Sequence, residues 1–233
     1  MNNPMTDDDF TGAQELARML TGVPPHAFAE SFQSIAHLLD MRAAHTPDAP
    51  CIIFYDEQET RKTYTYDGFN RRVNQVANYL HMELGVERGE RVATIAYNHI
   101  EIVLVYFACW KLGASVAPQN AGEDDARIAF ILRNAACRAA LVQPPYHQRI
   151  MALQPEVPNL TRIIVIDQDY VASIDEQPMT FVPPAELMLE DESLLVYTSG
   201  TTGAPKGVQL TQYNMFADAY GICAWQHITA ADR

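Results

Sequence analysis

The segment from Tyr197 to Val208 combines residue types that could do chemistry. It reads YTSGTTGAPKGV and places four hydroxyls, three glycines and one lysine within the eleven positions that start at Thr198. Glycines let backbone N–H groups turn toward an anion. The hydroxyls add donors that suit phosphate oxygens, and Lys206 adds a mobile positive charge. We therefore predict that this loop cradles the phosphates of a nucleotide.

Two other interpretations of the loop fit its sequence less well. A run of Ser, Thr and Gly is most often a solvated linker, but here a buried-type strand at 193–197 precedes the run and Pro205-Lys206-Gly207 closes it. A Walker A loop needs Gly immediately before the Lys and Ser or Thr immediately after it. Pro205 and Gly207 occupy those positions, so the pattern of P-loop kinases is excluded.

The elements that must position the loop are visible as short apolar runs that alternate with helical patterns. Strands are predicted at 51–55, 91–96, 115–117, 138–142, 162–166 and 193–197, and helices at 35–46, 66–84, 100–112, 123–135 and 211–224. This alternation predicts an α/β fold with mainly parallel sheets flanked by helices. The strand before the loop and the helix that follows at 211–224 would place the loop at the carboxyl edge of the sheet, where such folds bind ligands.

Two local features complete this prediction. Asn98 is expected to cap the helix at 100–112. Residues 168–190 contain three prolines and are expected to form a loop that crosses between subdomains. Residues 1–28 are predicted to be a loose leader with one short helix at 14–20, and residues 29–233 to form a single truncated domain.

Composition narrows the classes of function. The net charge is −13 and no basic stripe occurs, which argues against a nucleic-acid partner. The longest apolar run, 102–110, is far shorter than the roughly 20 residues of a membrane span. No signal peptide is recognisable, and the four cysteines lack a CxxC spacing and lie among apolar residues, so we expect reduced, buried thiols and a cytoplasmic protein.

With these residues in view, the chain resembles the adenylate-forming (AMP-binding) superfamily of acyl-CoA synthetases, peptide-synthetase adenylation domains and luciferases. YTSGTTGAPKGV resembles the signature phosphate loop of that family. Weaker motifs agree at Tyr64-Thr65-Tyr66 and at Trp110 to Ala114, the latter followed by Val116 and Pro118. The resemblance spans residues 32–233 and implies the N-terminal part of the large domain of such an enzyme.

The resemblance also implies a reaction and its ligands. A small-molecule carboxylic acid, fatty or otherwise acyl or aryl, is activated by ATP to an acyl-adenylate and then transferred to coenzyme A, with Mg²⁺ at the phosphates. The residues that would wrap the β- and γ-phosphates are Thr198, Ser199, Gly200, Thr201, Thr202, Gly203 and Lys206.

The sequence also departs from the family pattern. Gln212 stands where the family often has histidine, so any role that needs an imidazolium is in question, and Ala121 replaces a common proline after Asn120. The catalytic residues are expected beyond Arg233, and no metal ligand is predicted in this chain. We therefore expect an incomplete ligase that is inactive alone, whose C-terminal half could lie on a separate chain.

Two alternatives to the acyl-CoA synthetase remain open. One is an amino-acid adenylation domain of the peptide-synthetase type. The other is a non-catalytic remnant that binds a nucleotide or a partner.

Overall fold

A computed structural model describes residues 32–56, 58–198 and 205–228, apart from the side chain of Ala224. The predicted leader at 1–28, with its helix at 14–20, lies outside these ranges, as do the loop residues Ser199 to Gly203. Within the described ranges, no helix combines the length and apolar character that a membrane crossing requires.

Every strand and helix predicted within the described ranges is present, together with two strands and two helices that were not predicted. In order they are α1 (Ile35–His45), β1 (Pro50–Tyr55), β2 (Arg61–Thr65), α2 (Tyr66–Asn78), β3 (Arg91–Ile95), α3 (Ile100–Leu112), β4 (Ser115–Gln119), α4 (Asp125–Asn134), β5 (Ala139–Val142), α5 (His147–Leu153), β6 (Arg162–Val165), α6 (Gln168–Asp175), β7 (Glu192–Thr198), β8 (Lys206–Thr211) and α7 (Gln212–Gln226). A π-helical turn, Tyr79–Glu83, extends α2.

Six of the described strands form the main sheet in the order β6-β5-β3-β4-β7-β8. The first five run parallel to their neighbours, and β8 is antiparallel to β7. Strands β1 and β2 form a separate antiparallel hairpin. The predicted α/β class with a mainly parallel sheet is confirmed.

Helices cover both faces of this sheet because successive residues of a strand point to opposite sides. Along β5, Ala139 and Leu141 join the core under α2 and α3, whereas Ala140 and Val142 join the core under α4 and α5. Helix α3 is buried around most of its circumference, as its continuous apolar character predicts. It ends at Gly113, whose φ of 71° is a left-handed conformation that favours glycine.

Several predictions about individual elements are wrong. Residues 168–190 are not a continuous loop, since α6 occupies 168–175 with Asp167 as its cap. Helix α3 is capped by His99, not Asn98, and the His99 Nδ1 accepts a hydrogen bond from the Glu101 N–H at 3.2 Å. Strands β2 and β8 were not predicted, because both are polar, largely exposed edge strands without an apolar run.

The cysteines agree with the prediction of buried thiols fully at two positions and in part at a third. Cys109 and Cys137 are buried free thiols and Cys51 is half-buried, and burial raises the pKa of Cys51 to about 11 and of Cys137 to about 12. Cys223 is exposed on α7, so the prediction of a buried thiol is wrong there. Its apolar neighbours Ile222 and Trp225 on the same helix are also exposed.

The irregular segment after α6 is held by a row of amide side chains on α2. Asn74 donates to the carbonyl of Met179 at 2.9 Å, and Asn78 donates to the carbonyls of Pro178 and Thr180 at 2.8 and 2.9 Å. Gln75 donates to the carbonyls of Asp175 and Gln177. These bonds satisfy backbone acceptors of a segment that lacks its own regular structure.

A buried lysine joins three helices. The Lys111 side chain is 3% exposed, and its Nζ lies 2.6 Å from the Asp40 Oδ1. The same oxygen accepts a hydrogen bond from the Asn70 amide at 2.9 Å. Burial lowers the pKa of Lys111, and Asp40 opposes that shift. The ion-pair partner of the buried Lys111 ammonium on α3 is thus the Asp40 carboxylate on α1.

We expect substitutions at the two ends of this pair to have unequal effects. Asp40→Ala leaves a buried ammonium without its partner and should cost roughly 3 kcal/mol, near the lower limit for broken buried pairs because Asp40 is half-exposed. Lys111→Met removes the charge and should change the free energy of unfolding by about 1 kcal/mol or less. Urea denaturation of both variants measures this difference, and equal losses of stability would contradict it.

Candidate functional site

The predicted phosphate loop is the connection between two antiparallel strands. In the register of β7 and β8, Thr198 lies opposite Lys206 and Tyr197 lies opposite Gly207. Residues 199–205 link the last pair. The helix predicted at 211–224 is present as α7, and the strand β8, which was not predicted, lies between it and the loop.

The loop ends lie at the carboxyl edge of the parallel strands, as predicted. Strand β7 runs parallel to β4, with Val116 opposite Leu194, so its carboxyl end at Thr198 points to the same edge as the ends of β3 and β4. Ligands of open α/β sheets bind at this edge. The two described ends of the predicted loop therefore lie at the edge where such folds bind ligands.

Two of the seven predicted phosphate ligands are described, and the structure brings them together. Thr198 and Lys206 form the final register pair, and both residues are exposed. Ser199, Gly200, Thr201, Thr202 and Gly203 lie outside the described residues, and their role stays a prediction. A threonine hydroxyl and a lysine ammonium on facing strands suit two oxygens of one polyphosphate chain.

Close packing explains the glycine that follows Lys206. A Cβ atom on Gly207 would lie 3.1 Å from the Tyr197 ring across the strands and equally near the Leu195 side chain. The Tyr197 hydroxyl donates to the Asn134 Oδ1 at 2.6 Å, so this ring also ties the hairpin to α4. Gly207 lets the ring pack flat against the neighbouring strand.

The base of the hairpin is fixed by an ion pair that reaches across the sheet. The Arg91 guanidinium on β3 donates from Nε and Nη2 to the two carboxylate oxygens of Glu192 at 2.6 and 2.7 Å. The Ser115 hydroxyl on β4 donates to the same carboxylate at 2.6 Å. Burial opposes the ionisation of Glu192, but the bonds from Arg91 and Ser115 outweigh it and lower the pKa of the carboxyl.

Further bonds hold the residues on either side of Glu192. Arg88 donates from Nε and Nη2 to the Asp191 Oδ1 at 3.1 and 2.5 Å. The Trp110 indole on α3 donates to the Ser193 carbonyl at 2.9 Å, and the Ser193 hydroxyl donates to the Leu210 carbonyl of β8. The start of β7 is thereby attached to β3, α3 and β8.

Gln212, at the position where the family often has histidine, connects three helices through its side-chain hydrogen bonds. Its side chain is fully buried, its Oε1 accepts from the Ile35 N–H at 2.8 Å, and its Nε2 donates to the Trp110 carbonyl at 3.4 Å. These contacts connect the first turn of α7 to α1 and α3. The amide points into the core and not toward the loop ends.

The neighbouring residues form a capping box that sequence reasoning missed. The Thr211 hydroxyl accepts from the Asn214 N–H at 3.3 Å, and the Asn214 side chain accepts from the Thr211 N–H at 2.9 Å. The spacing T-x-x-N before an apolar helix is the signal that could have identified it. It fixes the boundary between β8 and α7.

The residues near the described loop ends do not provide a magnesium site. Mg²⁺ at nucleotides is usually held by one or two carboxylates together with phosphate oxygens. Thr198 and Lys206 provide no carboxylate. Across the described ranges, no group of three or more His, Cys, Asp or Glu side chains could hold a metal ion.

Comparison with known proteins assigns the chain to a family. Residues 39–233 match the family model described as AMP-binding enzyme. The fold and the position of the loop agree with this match, and the chain belongs to the AMP-binding enzyme family.

The similar proteins include a CoA ligase and a linear gramicidin synthase subunit. The chain is 33% identical over 174 residues to a crotonobetaine/carnitine–CoA ligase of Escherichia coli, covering 70% of this chain and 33% of the ligase. It is 28% identical over 212 residues to a linear gramicidin synthase of Brevibacillus parabrevis, covering 89% of this chain and 4% of that protein.

One solved structure of a CoA ligase has a fold similar to that of this chain. The anthranilate CoA ligase AuaEII, crystallised in complex with anthranoyl-AMP, superposes with a TM-score of 0.72 and 25% identity, covering 87% of this chain and 38% of that chain. The chain thus spans about a third or less of the length of the curated relatives it matches.

Glu192→Gln should weaken the base of the hairpin and change the response to acid. A lowered carboxyl pKa contributes stability that is present above the unfolded value, near 4.5, and is lost as the pH falls through the folded value. We expect the variant to lose about 1–2 kcal/mol at neutral pH. The difference from the wild type should shrink below about pH 4.

Urea denaturation at several pH values measures this effect, with the exposed neighbour substitution Glu190→Gln as the matched control. A stability loss of Glu192→Gln that stays constant down to pH 3 would contradict the assignment.

Proposed function

We propose that this chain is the N-terminal part of an ATP-dependent ligase that converts a carboxylic acid to an acyl-adenylate and then to a coenzyme A thioester. The observation that carries the proposal is the β7–β8 hairpin. It places Thr198 opposite Lys206 at the carboxyl edge of the sheet, on either side of the glycine- and hydroxyl-rich segment. Membership of the AMP-binding enzyme family supports the same chemistry.

In the proposed first step, a carboxylate oxygen of the acid forms a bond to the α-phosphorus of ATP. The bond from this phosphorus to the oxygen that bridges it to the β-phosphorus breaks, and pyrophosphate leaves with the electron pair. Negative charge accumulates on the leaving group, so donors placed around the β- and γ-phosphates lower the barrier.

The loop would supply those donors. The hydroxyls of Thr198, Ser199, Thr201 and Thr202, the amides around Gly200 and Gly203, and the Lys206 ammonium are the proposed contacts. In the second step, a thiol attacks the acyl carbon of the adenylate and AMP leaves. The described residues place no group at that step, and the resemblance puts its catalytic residues beyond Arg233.

The described residues contribute by holding the two strands that carry the loop in position. Donors stabilise a developing charge only when they are held in place before the reaction. The Arg91–Glu192 ion pair, the Gln212 contacts and the Tyr197–Asn134 bond fix both strands that carry the loop. We infer that this rigid support serves phosphate binding.

A second candidate is amino-acid adenylation of the peptide-synthetase type. The longer alignment with the linear gramicidin synthase, which covers more of this chain than the CoA-ligase alignment does, favours it. Both candidates share the first step and differ in the acid and in the accepting thiol. A panel of fatty, aryl and amino acids in an ATP–pyrophosphate exchange assay of the full-length gene product separates them.

Lys206→Ala and Thr201→Ala test the loop directly. Each removes a donor to a charged phosphate, a contact worth roughly 1.5–3 kcal/mol, so each should weaken ATP binding by about tenfold or more. Isothermal titration of the 233-residue chain with MgATP measures the affinity.

Lys62→Ala on β2 is the matched control, because it removes the same charge from an exposed strand outside the main sheet. Unchanged affinity of both loop variants, or an equal loss in Lys62→Ala, would reject the loop as the phosphate site.

A further inference from the structure

A cavity of about 540 Å³ opens at the carboxyl ends of β3 and β4. Its other walls are strand β1 of the separate hairpin and the first two turns of α3. The described residues that line it are Ile52, Ile53, Phe54, Tyr55, Thr94, Ala96, Tyr97, Asn98, His99, Ile100, Ile102, Val103, Tyr106, Pro118 and Gln119. Its volume is within the range of cavities that bind small organic molecules.

Large apolar side chains remain exposed around this cavity. Ile53 on β1 is 49% exposed, and Tyr55 and Tyr97 are 60% and 71% exposed. Single exposed apolar residues are ordinary, but a group of them around one concave surface is typical of a binding site. The walls can therefore bury more apolar surface than the described residues cover.

The described lining of this cavity carries no charge. It contains no Asp, Glu, Lys or Arg. The His99 Nδ1 accepts a hydrogen bond from the Glu101 N–H at 3.2 Å, and a histidine that accepts at Nδ1 is neutral. The Tyr106 hydroxyl is hydrogen-bonded to the Thr94 side chain, and burial raises the pKa of Tyr106, so it is neutral as well. A charged group would lose its water here without gaining a partner from these residues.

The larger cavity beside it is different. Its volume is about 1310 Å³, and three acidic and three basic side chains occur in its described lining. The smaller cavity is thus the one whose described walls suit an uncharged, apolar group.

The smaller cavity also lies close to the strand that leads into the phosphate loop. Strand β4 pairs with β7, with Val116 opposite Leu194. Gln119, in the cavity lining, comes three residues after Val116. Thr198 comes four residues after Leu194. At about 3.3 Å per residue and about 4.8 Å between strands, the backbones of Gln119 and Thr198 lie within roughly 10 Å of each other.

We propose that this cavity binds the hydrocarbon part of the acid that the ligase activates, an uncharged alkyl or aryl group. That the ligand is an acid rests on the proposed function, whereas its apolar character follows from the lining. Affinity increases with the apolar surface that the ligand removes from water. Acids with a second charge at the far end of the chain are rejected, because that charge would be buried without a partner.

The experiment titrates the 233-residue chain with octanoate and, separately, with octanedioate, which has the same eight-carbon chain and a second carboxylate at its far end. Isothermal titration should give saturable binding of octanoate and at least tenfold weaker binding of octanedioate, because its second charge must leave water. Butanoate should also bind at least tenfold more weakly than octanoate, because it buries fewer methylene groups.

Two variants and a control locate the binding. Ile53→Asp places a charge in the apolar wall and should weaken octanoate binding at least tenfold. Ile222→Asp is the matched control, because Ile222 is 44% exposed on α7 and lies outside the lining. Ala96→Leu narrows the cavity from its β3 wall, so octanoate affinity should fall severalfold while butanoate affinity stays the same. General destabilisation would not produce this change in chain-length preference.

The proposal fails if octanoate does not bind, if octanedioate binds equally well, or if Ile53→Asp retains wild-type affinity. An equal loss in Ile222→Asp would also overturn it. Should Ala96→Leu not fold, the half-exposed Ile53→Asp decides the result. MgATP is titrated separately without acid, so failure of this cavity is distinguishable from failure of the phosphate loop.

Discussion

The arrangement of the candidate site depends on the ion pair between Arg91 and Glu192. Strand β3 pairs with β4 over five register positions, whereas the register between β4 and β7 consists of Val116 opposite Leu194. The strand that leads into the phosphate loop is thus attached to the parallel sheet by side chains as well as by its pairing with β4. The bidentate bond from β3, supported by Ser115, Arg88 and Trp110, strengthens that pairing.

This attachment connects the fold to the proposed chemistry. A polyphosphate is stabilised by donors that are already in position, and a hairpin joined weakly to its sheet would not provide them. The charged bonds lie at the base of the hairpin, away from the loop, where they do not compete for the anion. The Gln212 amide helps to hold β8, the second strand of the hairpin. Its buried contacts fix the start of α7, which follows β8 directly.

Some parts of this structure were predictable from the sequence for clear physical reasons. Buried parallel strands such as β5 and the apolar helix α3 have continuous apolar runs. Such runs are recognisable in the sequence even where a single residue is polar. The place of the loop ends was predictable because the apolar strand before the loop marks where the parallel sheet ends, whereas phosphate binding by the loop stays a prediction. The edge strands β2 and β8 were missed because exposed strands carry no apolar signal, and α6 was missed because only Tyr170 and Ile174 of its residues are buried.

Long-range polar contacts were the least predictable features. Arg91 and Glu192 are separated by about a hundred residues, and neither has a local pattern that marks it as a partner of the other. The same is true of Lys111 and Asp40, which are 71 residues apart in the sequence. The motif at the loop predicted its chemistry, but only the register of β7 and β8 located Thr198 opposite Lys206.

The most direct test of the account follows the backbone amides by NMR while pyrophosphate is added to the isotopically labelled chain. If the loop binds the anion, the largest chemical-shift changes will fall on the amides of Ser199 to Gly203 and on Lys206. The amides of β3 and α3 will remain nearly unchanged, because the hairpin is already held in place. Changes that concentrate elsewhere in the chain, or a titration that leaves these loop amides unshifted, would contradict the assignment of the site.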